Sequence, residues 1–343
     1  MSVVDLLGRP LRDLRVSVTD NCNFRCSYCL PAELFPADYP FLSASELLSF
    51  PEILRVVEAA RPLGLKKVKI TGGEPLLRGL LPNLVKSLKT QFPDLEVGLI
   101  TNGLHLQPLL SRFRSSGLDS VTVSIDTLDP AQFSALSGNG HRVETILGAI
   151  EATREVFGTV KLNTVLLKGE NDDQVEPMAR YFRRPGFHLR FIEFMDVGTL
   201  NAWSPERMVS GAEVLTRLQS LAASENLGEL IPLPKSHPGE TSERWAWPNG
   251  IGELGFINSI TKPFCGDCSR VRLGADGRLY TCLFASKGYD LRSPLRAGES
   301  SAELSGRLAH LWSGRSDQYS ESRHPADQPG PESARIEMFA VGG

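Results

Sequence analysis

The sequence predicts an α/β fold, because six short apolar segments alternate with amphipathic helical patterns over about the first 200 residues. Such an alternation is typical of parallel strands joined by right-handed helical crossovers. Both a barrel and a doubly wound open sheet fit it. Polar and glycine-rich motifs, however, repeatedly follow the predicted strands (TDNCNFRC, TGGEP and TNG), at the strand ends where barrel sites form. This placement favours the barrel.

The individual elements follow from apolar periodicity and turn residues. Strands are predicted at residues 14–19, 67–70, 97–100, 120–125, 160–167 and 189–194. Helices are predicted at residues 44–64, 80–92, 143–158 and 211–223. The first helix has Ser45 as its expected N-cap and Pro51 near its start. Further on, the sequence predicts a strand at 252–257 and a tight hairpin around Ala275–Gly277.

Composition limits the classes of protein to which the chain can belong. The 343 residues suffice for one large barrel or about two domains, and 41% hydrophobic with 22% charged residues is ordinary for a globular protein. The net charge of −3 does not favour nucleic acid or an acidic membrane as a partner. The sequence has no signal-peptide core or membrane-length apolar run. We therefore expect a cytoplasmic protein, in which clustered cysteines serve metal binding or catalysis.

A first group of cysteines follows the first predicted strand. Cys22, Cys26 and Cys29 form the pattern C-x3-C-x2-C, and their loop offers no fourth nitrogen or sulfur ligand. The alternatives are a zinc site or three buried small side chains, but structural zinc normally has four protein ligands. A 4Fe–4S cluster held by three thiolates would instead leave one iron open for a small molecule.

This loop resembles that of the radical SAM superfamily, and two further motifs match the same superfamily. They are TGGEP after the second strand and SID at the end of the fourth. The resemblance implies that the open iron binds the amino and carboxylate groups of S-adenosylmethionine (SAM). It further implies SAM contacts at Tyr28, Gly73, Glu74, Ser124 and Met195.

A second group of cysteines lies near the end of the chain. Cys265, Cys268 and Cys282 form C-x2-C-x13-C, so the six cysteines of the chain divide into two groups of three. A zinc ribbon without its fourth ligand is the alternative. A second cluster with one open iron accounts better for the missing ligand, because the open iron could hold a substrate atom.

The stretch FCGDCSRVRLGADGRLYTCLF, with the first cysteine group and the terminal Gly342-Gly343, resembles the MoaA family of GTP 3′,8-cyclases. The resemblance covers nearly the whole chain. It implies an incomplete (βα)6 barrel of the triosephosphate-isomerase type, with a C-terminal region that carries the second cluster. On this basis we expect a partial barrel over residues 1–200, a closing region over 201–312 and a flexible tail over 313–343.

The resemblance also implies a reaction, classed as a lyase reaction, that begins molybdenum-cofactor biosynthesis. The first cluster would reduce SAM to methionine and a 5′-deoxyadenosyl radical, which removes hydrogen from the 3′ carbon of GTP. The carbon radical would attack carbon 8 of guanine, and uptake of one electron and one proton would then yield 3′,8-cyclo-7,8-dihydro-GTP. The open iron of the second cluster would bind and orient the guanine base.

GTP carries about four negative charges, which local basic residues must offset. By resemblance, the catalytic positions are Arg15, Lys161, Arg190, Arg270 and Arg272. The GTP contacts implied in the same way are Arg15, Lys69, Lys161, Arg270, Val271 and Arg272. The alternative for each cation is a solvated surface charge. Arg270 and Arg272 alternate on a predicted strand and should face the same side.

The chain departs from the family pattern at three places. Lys69 stands where the family has arginine, Ile100 stands where it has threonine, and Gly79 and Leu80 replace its Arg-Asp. These differences keep a diverged paralogue that acts on another nucleotide as an alternative. A peptide-modifying radical SAM enzyme is a second alternative, although such enzymes usually carry more C-terminal cysteines. A scaffold or nucleic-acid module with two zinc sites is the non-enzymatic one.

The resemblance implies partners as well. They are an electron donor of the flavodoxin or ferredoxin type, cyclic pyranopterin monophosphate synthase as the next enzyme, and a second copy of the chain in a homodimer. Neither nucleic acid nor a membrane is expected.

Overall fold

The computed structural model describes residues 3–138, 140–323 and 335–342. Within these residues the strands are β1 (Asp13–Ser17), β2 (Lys67–Thr71), β3 (Glu96–Thr101), β4 (Ser120–Ser124), β5 (Val160–Leu166), β6 (Phe187–Glu193), β7 (Ile231–Leu233), β8 (Glu243–Ala246), β9 (Glu253–Ile257), β10 (Arg270–Leu273), β11 (Arg278–Tyr280) and β12 (Tyr289–Asp290). The six strands predicted for the first 200 residues are all present, close to their predicted bounds.

Helices follow most of the parallel strands. They are α1 (Phe50–Ala60), α2 (Leu81–Gln91), α3 (Leu110–Ser115), α4 (Pro130–Ser137), α5 (Val143–Phe157), α6 (Val175–Phe182), α7 (Gly211–Ser224), α8 (Arg292–Arg296), α9 (Ser301–Ser313), α10 (Tyr319–Ser322) and α11 (Met338–Val341). In the described part of the chain, no helix combines the length and apolarity needed to cross a membrane.

The first helix begins later than predicted. The N-cap is Ser49, whose hydroxyl accepts the Glu52 N–H, while the Glu52 carboxylate accepts the Ser49 N–H in a capping box. The prediction of Ser45 as N-cap was therefore wrong. Pro51 lies in the first turn, as predicted, because there its missing N–H breaks no helical hydrogen bond.

The strands form one sheet in the order β12-β11-β10-β1-β2-β3-β4-β5-β6-β9-β8-β7. From β10 to β9 all neighbours are parallel, and β1 to β6 follow one another without reversal. A doubly wound sheet requires a reversal of strand order, so that alternative is excluded. Arg15 of β1 and Arg190 of β6 line one cavity, which requires the sheet to curl into an open barrel.

The C-terminal region extends the sheet at both ends, with β9 beside β6 and β10 beside β1. As predicted, β10 and β11 form an antiparallel hairpin around Ala275–Gly277. Because the sheet runs continuously through both regions, the boundary at residue 200 stays a prediction.

Strand alternation separates the two faces of the barrel wall. In β5, Leu162, Thr164 and Leu166 are fully buried, whereas the side chains between them are partly accessible from the interior. The apolar face packs under the helices and forms the main core. The cationic residues Arg15, Lys69 and Arg190 of the strands face inward, toward the cavities described below.

The segment predicted as a flexible tail packs against the barrel where it is described. Arg315 is 4% exposed, and Asp196 accepts hydrogen bonds from Tyr319, Arg323 and Arg335. Phe339 packs in a small aromatic cluster with Phe35. Residues 324–334 of the predicted tail lie outside the described residues, as does Gly343.

Candidate active site

The first cysteine group opens into a cavity of about 210 Å³ at the carboxyl ends of the strands. Cys22, Cys26 and Cys29 all line it, together with Tyr28. No lysine, arginine, histidine or fourth cysteine is among its described lining residues. Burial raises the pKa of the Cys22 and Cys29 thiols to about 12, although the charge of Arg25 acts to lower that of Cys22.

The loop that carries these thiols is braced from both sides. The Arg25 guanidinium donates to the Cys22 carbonyl at 2.6 Å and to the Phe35 carbonyl at 2.9 Å. On the other side, Gly72 and Gly73 lie so close to residues 19–21 that a Cβ at either position would collide with their backbone. The glycines of TGGEP therefore let β2 dock against the cysteine loop.

The Glu74 side chain serves this scaffold. Its carboxylate is buried and accepts hydrogen bonds from the Thr101 hydroxyl at 2.6 Å, the Asn102 N–H at 2.7 Å and the Leu76 N–H at 3.0 Å. Burial raises the pKa of Glu74 to about 7, against the effect of these donors. Glu74 thus connects the end of β2 to the end of β3. Because its carboxylate makes these three hydrogen bonds, only the rest of the Glu74 side chain is available for the predicted contact with SAM.

Tyr28 reaches across the cavity. Its hydroxyl donates to Asp126 Oδ2 at 2.6 Å, and Asp126 Oδ1 accepts the Val165 N–H at 2.8 Å. Burial raises the pKa of Asp126 to about 6, although both hydrogen bonds act to lower it. Gly73, Glu74, Ser124 and Met195 line the same cavity, so all five predicted SAM contacts lie here with the cysteines. Met195 also lines the next cavity.

The second cysteine group lines an adjoining cavity of about 130 Å³ with the opposite charge. Cys265, Cys268 and Cys282 lie there with six cationic side chains: Arg15, Lys69, Arg190, Arg270, Arg272 and Arg315. Asp317 is the carboxylate among its described lining residues. No histidine or fourth cysteine is found among them.

Strand register explains how cations come to line this wall. Arg272 of β10 pairs with Arg15 of β1, and Arg15 pairs with Lys69 of β2, so all three project inward from adjacent strands. Burial and the neighbouring Arg190 lower the pKa of Lys69 well below its ordinary value. Burial also lowers the pKa of Arg15, to about 10, with a further contribution from Arg270.

These cations also act on a thiol. Arg270 Nη2 lies 3.4 Å from Cys268 Sγ. Burial acts to raise the pKa of Cys268, but the charges of Arg270 and Arg315 outweigh it and bring the pKa to about 6. Burial raises the pKa of Cys282 to about 11, although the charge of Arg315 acts to lower it.

Several polar atoms on this wall have no protein partner. Asn163 Oδ1, Arg190 Nε and Arg270 Nε are buried and find no hydrogen-bond partner in the described part of the chain. Buried polar groups are nearly always paired, so an unpaired set on a cavity wall indicates a polar ligand. Cations without sufficient carboxylate partners indicate that this ligand is anionic.

The two cavities share a wall formed by Ile100, Asn163, Ile192, Met195 and Met338. Met338 belongs to α11, so the C-terminal segment lies at this junction. Arg272 Nη1 donates to the Val341 carbonyl at 3.2 Å and also to the Gly342 carbonyl. The Gly342 end of the chain therefore lies beside Arg272 of the second cavity.

Two family models match the chain. The model of the radical SAM superfamily matches residues 16–182, and the model called Molybdenum Cofactor Synthesis C matches residues 187–321. The second match contains all three cysteines of the second group.

Curated relatives align over the full length. A protein of Acidothermus cellulolyticus is 44% identical over 363 residues, covering 99% of this chain and 98% of its own. Proteins of Xanthomonas campestris and Staphylococcus haemolyticus are 43% and 39% identical, each covering 99% of this chain and 97% and 99% of their own. All three are named GTP 3′,8-cyclase. The chain belongs to the GTP 3′,8-cyclase family.

Among solved structures, Streptococcus suis SuiB bound to S-adenosylmethionine superposes with a TM-score of 0.61. The match covers 88% of this chain and 68% of SuiB at 13% identity, so it concerns the fold alone. It supports the radical SAM α/β fold with its mostly parallel sheet.

Membership of the radical SAM superfamily implies a 4Fe–4S cluster and SAM, and the first cavity fits both. Three thiols face one cavity without a fourth cysteine or histidine, which is the ligand set of a cluster with an open iron. In the described residues no three His, Cys, Asp or Glu side chains are grouped as ligands of a single ion. A cluster places each thiolate on a different iron, and wider spacing of the thiols is compatible with that.

Two predicted GTP contacts lie elsewhere than expected. Val271 alternates with Arg270 and Arg272, so its side chain points into the apolar core and does not line the cavity. Lys161 lines a third, open cavity at the amino ends of the strands, which shares Arg15 and Lys69 with the second. Its predicted contact would require the ligand to extend between the two cavities.

Sequence reasoning missed three residues of the site. Asn163 could have been found, because strand alternation places it on the same face as Lys161. Met338 and Arg315 gave no local signal. They belong to a segment whose polar, proline-bearing neighbourhood indicated disorder, and only long-range contacts bring them to the cavity.

Proposed function

We propose that this chain is a GTP 3′,8-cyclase, a lyase that converts GTP to 3′,8-cyclo-7,8-dihydro-GTP in the first step of molybdenum-cofactor biosynthesis. The observation that carries the proposal is the second cavity. It combines three thiols, six cations and unpaired buried polar atoms, and it adjoins a cavity with the ligand set of a radical SAM site. The family of the chain supports the same reaction.

In this proposal Cys22, Cys26 and Cys29 hold the first cluster. When bound, this cluster and SAM supply the 5′-deoxyadenosyl radical that abstracts hydrogen from the substrate. The chain itself contributes a cavity with a largely apolar wall, which limits the access of water to a reactive species. Tyr28, held by Asp126, fixes the position of one wall.

Cys265, Cys268 and Cys282 would hold a second 4Fe–4S cluster, and the base of GTP would lie beside it. The inward row of Arg272, Arg15 and Lys69 would bind the triphosphate, because planar guanidinium groups match phosphate oxygens. Arg190 Nε, Arg270 Nε and Asn163 Oδ1 would obtain their missing partners from the same nucleotide. A single ligand, GTP, would thus pair with both the cations and the unpaired polar atoms of the second cavity.

The shared wall explains how a radical could form in one cavity and act on a molecule in the other. Ile100, Asn163 and Met195 border both cavities, so a substrate bound at this junction would be accessible from both. Holding the two reactants together replaces a bimolecular encounter by a step within one complex. The chain's contribution is therefore positioning and exclusion of water.

The proposal includes an electron donor of the flavodoxin or ferredoxin type. It also includes cyclic pyranopterin monophosphate synthase as the enzyme that receives the product, and a homodimer as the assembly. The reaction requires a reductant, and its product is an intermediate that a further enzyme must convert. The reductant and the next enzyme follow from the proposed reaction, whereas the homodimer follows only from the resemblance to the family.

The test is anaerobic incubation of the reconstituted enzyme with SAM, a reductant and GTP, followed by mass analysis. We expect 5′-deoxyadenosine together with a cyclised isomer of GTP, which has the same mass as GTP and is separated from it by chromatography. Deoxyadenosine formed with another nucleotide, and not with GTP, would favour the diverged paralogue. Iron and sulfide analysis gives an independent check, since zinc without sulfide would contradict both cluster assignments.

A further inference from the structure

A buried ionic network contacts the backbone of the second cysteine group, and of its members only Arg315 has been described so far, as a cation of the second cavity. It consists of Asp5, Arg9 and Arg315, which are 5%, 2% and 4% exposed. Asp5 Oδ2 accepts Arg9 Nε at 2.6 Å and Arg315 Nη1 at 3.0 Å, so one carboxylate joins the N-terminal segment to the segment after α9.

The network holds each of the three backbone segments that carry the cysteines. Arg9 Nη1 donates to the Cys265 carbonyl at 2.7 Å, and Arg315 Nη1 donates to the Cys268 carbonyl at 2.8 Å. Arg315 Nε donates to the carbonyl of Thr281, the residue before Cys282, at 3.0 Å. Two guanidinium groups thus fix the relative positions of all three thiols.

The guanidinium groups are themselves rigidly held. The Trp312 ring lies under Arg315 at 4.6 Å, and its indole N–H donates to the Arg9 carbonyl at 2.9 Å. The Arg9 backbone N–H also donates to Asp5 Oδ1 at 2.9 Å. Guanidinium groups held in this way are preorganised hydrogen-bond donors. A lysine ammonium group could not donate with the same planar geometry.

Arg315 differs from Arg9 in one respect: it also lines the second cavity, beside the three thiols. A fixed positive charge next to an iron–sulfur cluster favours the reduced, more negative form of the cluster. Asp5 Oδ2 lies 3.0 Å from Arg315 Nη1 and Asp317 Oδ2 lies 3.3 Å from Arg315 Nε. These carboxylates offset the charge only in part, because Asp5 is shared with Arg9.

We propose that Asp5, Arg9 and Arg315 form a positioning network for the second cluster, and that the charge of Arg315 raises the reduction potential of that cluster. The inference rests on the proposed function, because it requires a cluster on Cys265, Cys268 and Cys282. Arg315 is a positioning residue, since it acts on the substrate only through the cluster.

The test is a redox titration of the holoenzyme with dithionite, followed by electron paramagnetic resonance. Each reduction places one electron on the second cluster and breaks no bond. The two clusters are distinguished by the effect of added GTP on the second signal and of SAM on the first. For Arg315→Gln we expect the reduction equilibrium of the second cluster to fall by about tenfold, a shift of about 59 mV to lower potential. The first cluster should not shift.

Two further variants separate charge from geometry. Arg315→Lys keeps the charge and should leave the potential near that of the unmodified enzyme, while broadening the GTP-dependent signal. Asp5→Asn removes a negative charge and should shift the potential upward, opposite to Arg315→Gln. The matched control is Arg55→Gln, because Arg55 also donates to two backbone carbonyls, those of Leu295 and Glu299, away from the cysteines.

Each outcome is decisive. If both clusters are present and the second cluster has the same reduction potential in Arg315→Gln as in the Arg55→Gln control, the network proposal is wrong. The assignment of the second cluster is not affected by that result. An unmodified enzyme with a single cluster would overturn the second cluster and the network together. If Arg315→Gln does not accumulate, the upward shift of Asp5→Asn supports the proposal and a downward or absent shift contradicts it.

Discussion

The two cysteine loops present the same number of thiols in opposite electrostatic surroundings. The described lining of the first cavity contains the carboxylates Glu74 and Asp126 and no cation. The second contains six cations and the single carboxylate Asp317. Accordingly, burial raises the pKa of Cys22 to about 12, whereas nearby guanidinium groups bring that of Cys268 to about 6.

This contrast shows that three thiols alone do not specify what a site binds. An acidic, mostly apolar space suits a sulfonium compound such as SAM, and a cationic space suits a nucleoside triphosphate. The loops also differ in support. Arg25 and the glycines of TGGEP brace the first loop, whereas the distant residues Arg9 and Arg315 brace the second.

The largest expected effect separates the two cysteine groups. Cys26→Ala should lower the formation of 5′-deoxyadenosine by more than about 100-fold, because the radical-forming cluster loses a ligand. Cys268→Ala should retain deoxyadenosine formation but lose the cyclised product. The measurement is chromatography of both products from the same anaerobic reaction. Equal loss of deoxyadenosine in both variants would contradict a division of labour between the loops.

Next in size is the loss of a cation from the second cavity. Arg272→Met should weaken GTP binding by about 10- to 100-fold, since a hydrogen bond to a charged group contributes about 1.5–3 kcal/mol. SAM binding should not change, because Arg272 does not line the first cavity. Both affinities can be measured by equilibrium dialysis. The control is Arg217→Met, whose guanidinium pairs with Glu176 instead, and unchanged GTP binding would show that Arg272 serves only the Val341 and Gly342 carbonyls.

A third prediction uses the lowered pKa of Lys69. Binding of a triphosphate favours the charged amine, so GTP binding at about pH 8.5, where GTP itself is fully ionised, should take up protons. Calorimetry in buffers of different ionisation enthalpy measures this uptake. Lys69→Arg is the matched control: it should bind GTP at least as tightly, with no uptake, because arginine stays charged.

The lowered pKa of Lys69 also predicts how the stability of the ligand-free protein changes with pH. Unfolded Lys69 binds a proton more readily than folded Lys69, so the ligand-free protein should gain stability as the pH rises toward the ordinary lysine pKa. Lys69→Met should weaken this pH dependence. In the calorimetric experiment, proton uptake on GTP binding that persists in Lys69→Arg would show that a group other than Lys69 takes up the proton.

The smallest expected effect concerns the wall between the cavities. Ile100 lines both and is 9% exposed, and it stands where the resemblance to the family predicts threonine. Ile100→Thr restores a hydroxyl and should change GTP affinity by only about fivefold, because a neutral hydrogen bond contributes about 1 kcal/mol. Ile100→Val, which adds no hydroxyl, is the control. Equal affinities in the two variants would show that the hydroxyl has no substrate contact.

Much of the fold was predictable because it depends on local pattern. The alternation of apolar segments predicted six parallel strands, and the sequence RVR predicted that Arg270 and Arg272 share a face. Where two local signals competed, the prediction was wrong. Ser45 and Ser49 both precede an amphipathic stretch, and the position of Pro51 together with the pairing of Ser49 with Glu52 decided where the helix begins.

The site was predictable to a lesser degree. Both cysteine groups, Tyr28 and the inward cations could be identified from motifs, because cluster chemistry requires thiols at fixed spacings. The structural use of Glu74, the outward direction of Val271 and the support from Arg315 could not. Each depends on contacts between residues far apart in the chain, such as those from Arg315 to Asp5 and to Cys268.

The sequence by itself thus determined which chemical groups the chain supplies: two sets of three thiols, and basic residues on the strands of a parallel barrel. Only the tertiary structure decided how charge is divided between the two sets. Strand register brings Arg272, Arg15 and Lys69 side by side, and the curl of the sheet adds Arg190 from the far side. Electrostatic interaction depends on distance in space, which local sequence patterns do not encode.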